Sequence, residues 1–372
     1  GLVYVDEDAL ANLSERLLGT PAPTDYFAEK YKEYLLHGAL LSVALFVGGV
    51  QALARATRAH EIALVTGAAP LAFLLIGYAQ FRNFSGDAVW VISAAATVAA
   101  AIAATALLGR KKGIMADLPG LYVAFAVIAA FLALTFQFDR IWLTLCYAVL
   151  VFVLSMTSMR RDFATVRTLA NLIVLLVLLR LSINPDLRGY EIFHPLGMQW
   201  VSYGYLVPLA LFFAASRIFK RAKDDLTVTV LEGAALLLGI VFISIEIRIF
   251  MTGSIYSGGY RLPEASLQTI AWLTSALVLA RRNLRYPRLF STWGSRILTA
   301  AGAAQAIALQ LVVMNPVFTG EFIDGYGLCN MLILSLAVPA VLLWLIAGSL
   351  LPKENARSAP VMVFLRGAAA LL

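Results

Sequence analysis

Four residues with chemical potential lie inside or at the ends of long apolar runs: Arg180, Asn184, Glu246 and Arg248. Charges at membrane depth are rare and costly, so they mark ion pairs, polar pathways or binding sites. Arg180 precedes Asn184 by one helical turn, and Glu246 stands about one and a half turns before its run ends near Met251. Their similar depth and opposite sign suit a buried ion pair; two side chains that snorkel independently to the interface suit them equally. The polar loops between runs carry more. One offers Asp186, Glu191 and His194 ahead of Trp200, Tyr203 and Tyr205, and another offers Glu321, Asp324 and Asn330 with Phe318, Phe322 and Tyr326. The 252–265 loop adds Tyr256, Tyr260, Arg261 and Glu264 among glycines. Carboxylates beside aromatics suit a sugar or lipid headgroup, and a carboxylate pair suits acid–base catalysis. An aromatic belt above solvated acids gives the same pattern. The candidate binding residues are Arg180, Asn184, Glu246, Arg248, Glu321, Asp324 and Asn330.

Other chemistries find little support. His37, His60 and His194 are widely separated, and Cys146 and Cys329 fall in apolar segments read as helices, so no metal-ligand spacing arises. No Walker loop, nucleotide fingerprint or Ser/His/Asp arrangement is present, and no cofactor or metal is expected. Glu232 reads as a surface or first-turn carboxylate favoured by the helix dipole.

The elements that position these residues must be membrane helices. The chain is 61% hydrophobic and 14% charged with a mean hydropathy of +0.83, against about 25% charged residues in soluble domains. Continuous apolar runs predict spans at 37–54, 62–81, 88–108, 119–137, 141–158, 164–183, 198–217, 227–251, 266–280, 293–314 and 329–351. Runs that do not alternate exclude a β-barrel. The fold class is all-α, a polytopic transmembrane bundle of eleven complete spans and a partial twelfth at 361–372. The chain opens on Gly1 without a signal-peptide pattern and stops inside that short twelfth run, so it reads as a fragment of something longer.

Basic residues fill alternate turns: Arg55 and Arg58; Arg110 to Lys112; Arg160, Arg161 and Arg167; Arg217 to Lys223; Arg281 to Arg288; Lys353 and Arg357. The positive-inside rule makes these cytoplasmic and places residues 1–36 outside. The net charge of +7 is therefore a topological signal, with the lipid bilayer as partner and no nucleic acid implied.

An internal repeat organises the chain. Asn184-Pro185 is followed 24 residues on by Pro208, and Asn315-Pro316 stands at the same step from Pro339. Leu231-Glu232-Gly233-Ala234-Ala235 is echoed by Leu365-Arg366-Gly367-Ala368-Ala369. Parallel copies of four helices result, at 141–262 and 263–372, after a first four-helix unit at 37–140 that reads as a degenerate copy. Pro208 and Pro339 fall inside their helices and predict kinks at equivalent positions, a pattern of transporter binding sites.

Arg180 to Pro185, Leu231 to Ala234, Ser244 to Arg248, Asn315 to Glu321, Tyr326 to Asn330 and Pro339-Ala340 together resemble a bacterial polytopic membrane-protein family. That family is catalogued as domain of unknown function 2339, and the match is most specific over residues 160–350. The resemblance implies a bacterial inner-membrane location and a longer whole protein, and supplies no activity or catalytic residues. Two function classes follow. One is a multispanning protein that moves a solute or lipid, or scaffolds an envelope complex with another envelope protein. The other is a membrane enzyme acting on a lipid-linked substrate with outer-loop carboxylates.

Overall fold

The computed structural model describes residues 24–53, 58–81, 87–110, 118–138, 140–159, 162–183, 200–255, 258–320, 325–326, 329–349 and 359–372. Among these the architecture is all-α. The helices are α1 (Thr24–Ala52), α2 (Ala59–Phe81), α3 (Asp87–Arg110), α4 (Leu118–Gln137), α5 (Arg140–Ser158), α6 (Ala164–Ile183) and α7 (Trp200–Ala222). They continue with α8 (Leu226–Thr252), α9 (Leu262–Arg285), α10 (Leu289–Gln305), α11 (Pro316–Thr319), α12 (Val338–Ser349) and α13 (Ala359–Leu371). A π-helical stretch, Ala306–Val313, prolongs α10, and a second, Ile333–Ala337, leads into α12. The remaining regular structure among the described residues is a two-residue antiparallel pair, β1 (Gly325–Tyr326) with β2 (Cys329–Asn330).

The described residues of the expected spans are helical apart from Leu53, Met314, Cys329 and Asn330; nine of the described helices are long and apolar enough to cross a membrane, and Ile333–Ser349 is a shorter apolar helix. The helix over the expected 266–280 span, α9, is not among the nine. It runs 24 residues but carries Glu264, Gln268, Arg281, Arg282 and Arg285. The expected 329–351 span starts late: Cys329 and Asn330 form β2, and Asn330 Oδ1 accepts the Ile333 backbone N–H at 3.0 Å. The asparagine thus caps the helix from outside, and Cys329 lies in a strand, not in the helix expected from its apolar neighbours.

Local chemistry sets the other boundaries. Asp225 accepts from the Thr227 N–H at 3.0 Å to open α8, and Gly253, at φ 70°, closes it by donating to the Ile249 carbonyl. Pro263 occupies the first turn of α9, where its missing N–H costs nothing, and Pro287 follows its end. Asn315, one of the repeat landmarks, caps α11 through the Val317 N–H at 3.0 Å and donates back to the Leu311 carbonyl at 3.0 Å. The Asn-Pro pair at 315–316 is therefore a device that ends one helix and starts the next.

The chain divides into two units, one of residues 1–139 with 163–169 and one of residues 140–162 with 170–372. In the first, α1 packs on α2, α2 on α4 and α3 on α4. Trp90, Leu74, Tyr122 and Leu118 are fully buried there, and Thr66 Oγ1 and the Tyr122 hydroxyl share a hydrogen bond of 2.8 Å. Gly67 lies so close to the Phe125 ring that any side chain would displace it. In the second unit α7 packs on α5 and α8, α9 on α8, α10 and α12, and α12 on α13. Gly302 permits the close approach of α10 to α9, since a Cβ there would stand 2.7 Å from Leu273 Cδ2. Pro208 is buried within α7, and Pro339 is buried one residue into α12, immediately after the π stretch.

Candidate functional site

The polar residues of the second unit converge where α8 ends and α9 begins. Arg248, one turn before the close of α8, donates through Nη1 to Glu264 Oε2 at 2.7 Å. The same guanidinium donates through Nη2 to the Gly258 carbonyl at 2.7 Å and through Nε to that of Ile255 at 3.4 Å. Ile255 and Gly258 are thereby held against the end of α8. Glu264 lies in the first turn of α9, where the helix dipole favours a carboxylate, and its side chain is 1% exposed. Gln268, one turn on, donates to Glu264 Oε1 and to the Ser244 carbonyl, each at 3.4 Å, and accepts from the Tyr260 hydroxyl at 2.9 Å. Trp272 Nε1 donates to Ser244 Oγ at 2.9 Å.

A second layer of amides stands behind these groups. Gln305, which closes α10, donates to the Tyr260 hydroxyl at 2.7 Å and to the Ala265 carbonyl at 3.4 Å. Gln310, in the π stretch, donates to that same carbonyl at 3.0 Å and to Thr269 Oγ1 at 2.6 Å. An α-helix would turn residues five apart to different faces; the wider i→i+5 ladder brings Gln305 and Gln310 to one. The side-chain oxygens of both are buried with no hydrogen-bond partner among the described residues. The seam therefore holds acceptors that it does not use.

In front of the seam lies an open groove of about 630 Å³. Ser244, Arg248, Tyr260, Glu264, Gln268 and Trp272 form its polar end, and Leu237, Ile240, Val241, Leu298 and Ala301 its apolar end. Leu237 and Arg248 are eleven residues apart on α8, which at 1.5 Å per residue is roughly 16 Å. That is about half the hydrocarbon thickness of a bilayer. The groove thus has a charged, hydrogen-bonding head above an apolar trough, and head and trough together are about one leaflet deep.

Burial, then the nearby Glu264 charge, pushes the Tyr260 phenol up to about 12; the hydrogen bond from Gln305 and the charge of Arg248 oppose the rise. Because the folded value exceeds the ordinary value near 10, the stability this phenol contributes is fully present below pH ~10. It is lost as pH rises toward 12. Tyr260→Phe should be less stable than wild type by about 1 kcal/mol, with a gap in thermal unfolding that is constant to pH ~10 and narrows above it. A gap constant through pH 12 would contradict the assignment.

The structure relocates several expected roles. No ion pair joins Arg180 to Glu246 among the described residues. Arg180 Nε donates to Thr144 Oγ1 on α5 at 3.1 Å, and α8 turns Arg248, not Glu246, toward its carboxylate partner. Residues 246 and 248 point about 200° apart around a helix, so one cannot stand in for the other. Asn330 serves as a helix cap. Asn184, Glu321 and Asp324 lie outside the described residues.

Glu232, expected at a surface or first turn, is instead buried at 3% side-chain exposure and paired with Arg288 at 3.0 Å. Arg288 reaches it because the α9–α10 turn is stitched by Asn283, whose Oδ1 accepts from the Arg288 N–H, Ser291 and Thr292. Gln268, Gln305 and Gln310 are not among the candidates read from the sequence, and Glu264 stands there as a loop carboxylate outside the binding set. Their signal was available, since each is a polar side chain within or at the edge of an apolar run.

The family model described as a predicted membrane protein, DUF2339, matches residues 20–372. The chain belongs to the DUF2339 family. The match extends well beyond the C-terminal part in which the motifs are most specific, so the first unit of this DUF2339 protein belongs to the family pattern as well. No curated protein and no solved structure gives a significant match.

Proposed function

We propose that this multispanning membrane protein binds an amphiphilic, lipid-like substrate in the groove on α8, α9 and α10 and moves it between the leaflets of the membrane. One observation carries the reading: a charge pair and its amide partners cap an apolar trough, in a groove about one leaflet deep from end to end. Arg248 and Glu264 offer a donor and an acceptor to a polar headgroup, and Leu237, Val241 and Leu298 offer an acyl chain its contacts. By the positive-inside rule the groove opens toward the outer leaflet of a bacterial inner membrane, on the side of the Asn-Pro loops. In both copies the first helix packs on the third and the third on the fourth, which supports the four-helix repeat, although among the described residues the first packs closely on the second in the second copy and not in the first.

Transport is favoured over the enzyme reading by the groove's chemistry. Among the described residues Glu264 is the single carboxylate lining it and is held by Arg248, so that lining supplies no acid–base pair. The test is exchange of a labelled phospholipid between leaflets of reconstituted vesicles, with the trough open or filled by Ala301→Phe.

A further inference from the structure

A second lipid-shaped feature lies at the opposite end of the same helices. The closing turns of α7 and α9 face each other across a pocket of about 770 Å³. Six of its lining side chains are basic, namely Arg217, Lys220, Arg281, Arg282, Arg285 and Arg288, and none is acidic. Arg288 is neutralised by Glu232 and by Asp224 at 2.6 Å. Arg217 and Arg282 lie over the Phe213 and Phe290 rings at 4.7 and 5.5 Å from the centroids. Among the described residues the lining supplies no counter-charge for Lys220, Arg281 and Arg285.

Basic residues suit helix C-termini in general. Here, however, ends separated by some sixty residues of chain gather around one cavity, and a largely apolar crevice, lined also by Glu232 and Ser275, lies beside it. That crevice, of about 290 Å³, shares Arg282 with the basic pocket's lining, and Phe213 and Phe290 line it beneath their two arginines. It then runs past Leu236, Gly239 and Leu209 to Ile243. Glu232 to Ile243 is again eleven residues along α8, or roughly 16 Å.

We infer that this pocket and crevice form a binding site for an anionic phospholipid. The phosphate sits among Arg281, Arg285 and Lys220, and an acyl chain lies along the crevice. Guanidinium forks match phosphate geometry, and basic pockets between membrane helices suit phosphate headgroups. Its phosphate end lies at the close of α9 and the Arg248–Glu264 pair at the start of α9, although the crevice and the groove overlap along α8 and share Ile240; the site stands whether or not that groove transports anything.

The experiment measures lipid binding to the purified chain in neutral detergent, by native mass spectrometry and by thermal stabilisation. The probes are phosphatidylglycerol, phosphatidylcholine and glycerol phosphate. Phosphatidylglycerol should bind wild type at least about tenfold more tightly than the Arg281→Gln/Arg285→Gln double variant. Ser275→Leu, which narrows the crevice while leaving every basic residue in place, should weaken it as well. Phosphatidylcholine should not distinguish wild type from the double variant. The inference is overturned if phosphatidylglycerol binds the double variant as well as wild type, or if phosphatidylcholine shows the same preference. Full stabilisation by glycerol phosphate alone would also overturn it, since the ligand would then be a soluble phosphate.

Discussion

Glu264→Leu should destabilise the protein by about 3–5 kcal/mol, because it takes the Glu264 carboxylate away from the Arg248 guanidinium in the helix end. The two groups meet at 2.7 Å with side-chain exposures of 15% and 1%, too little water to solvate the survivor. The Arg248→Leu/Glu264→Leu double variant should recover most of that loss, since neither charge then remains to be solvated. It should still fall short of wild type by about 1–2 kcal/mol, because the carbonyls of Gly258 and Ile255 lose their donor. Denaturation of the three variants in one detergent gives the coupling directly. If the single losses add to give the double, the pair is not a unit.

The second large effect belongs to Arg288, which joins an exposed and a buried carboxylate. Arg288→Leu strands Glu232 at 3% exposure and should cost about 3–5 kcal/mol. Asp224 is 52% exposed, so Asp224→Asn should cost about 1 kcal/mol or less even though its contact is the shorter one. Glu232→Gln placed on Arg288→Leu should restore stability by removing the stranded charge. If Asp224→Asn proves the costlier change, burial does not decide the strength of this pair.

These two pairs show where the sequence could be read and where it could not. Helix positions were legible because an apolar run of about 20 residues has few other ways to satisfy its backbone in lipid. The Asn-Pro landmark was legible as a loop opener, and at Asn315 it proves to be a cap. The partner of Arg248 was not legible. Helix α8 is apolar around its whole circumference, so no stripe shows which face packs, and Glu246 looked as well placed as Arg248. Glu264 stood in a Gly- and Tyr-rich stretch that reads as solvated loop, yet the helix starts two residues earlier and draws it inside. Gln305 and Gln310 were hidden by their spacing, which falls on one face when the helix widens to the π form. Glu232 was misjudged because its partner, Arg288, lies 56 residues away across a turn whose stitching by Asn283 no local pattern announces.

The central claim is that the groove carries an amphiphile, and leaflet exchange tests it most directly. Vesicles reconstituted with the chain and a trace of fluorescent phospholipid would be treated with a membrane-impermeant quencher, and the protected fraction followed over time. Wild type should expose the inner-leaflet label within minutes. Ala301→Phe, which fills the trough without touching the Arg248–Glu264 pair, should slow exposure at least about tenfold while leaving thermal stability unchanged. Equal rates for wild type, Ala301→Phe and protein-free vesicles would contradict the account.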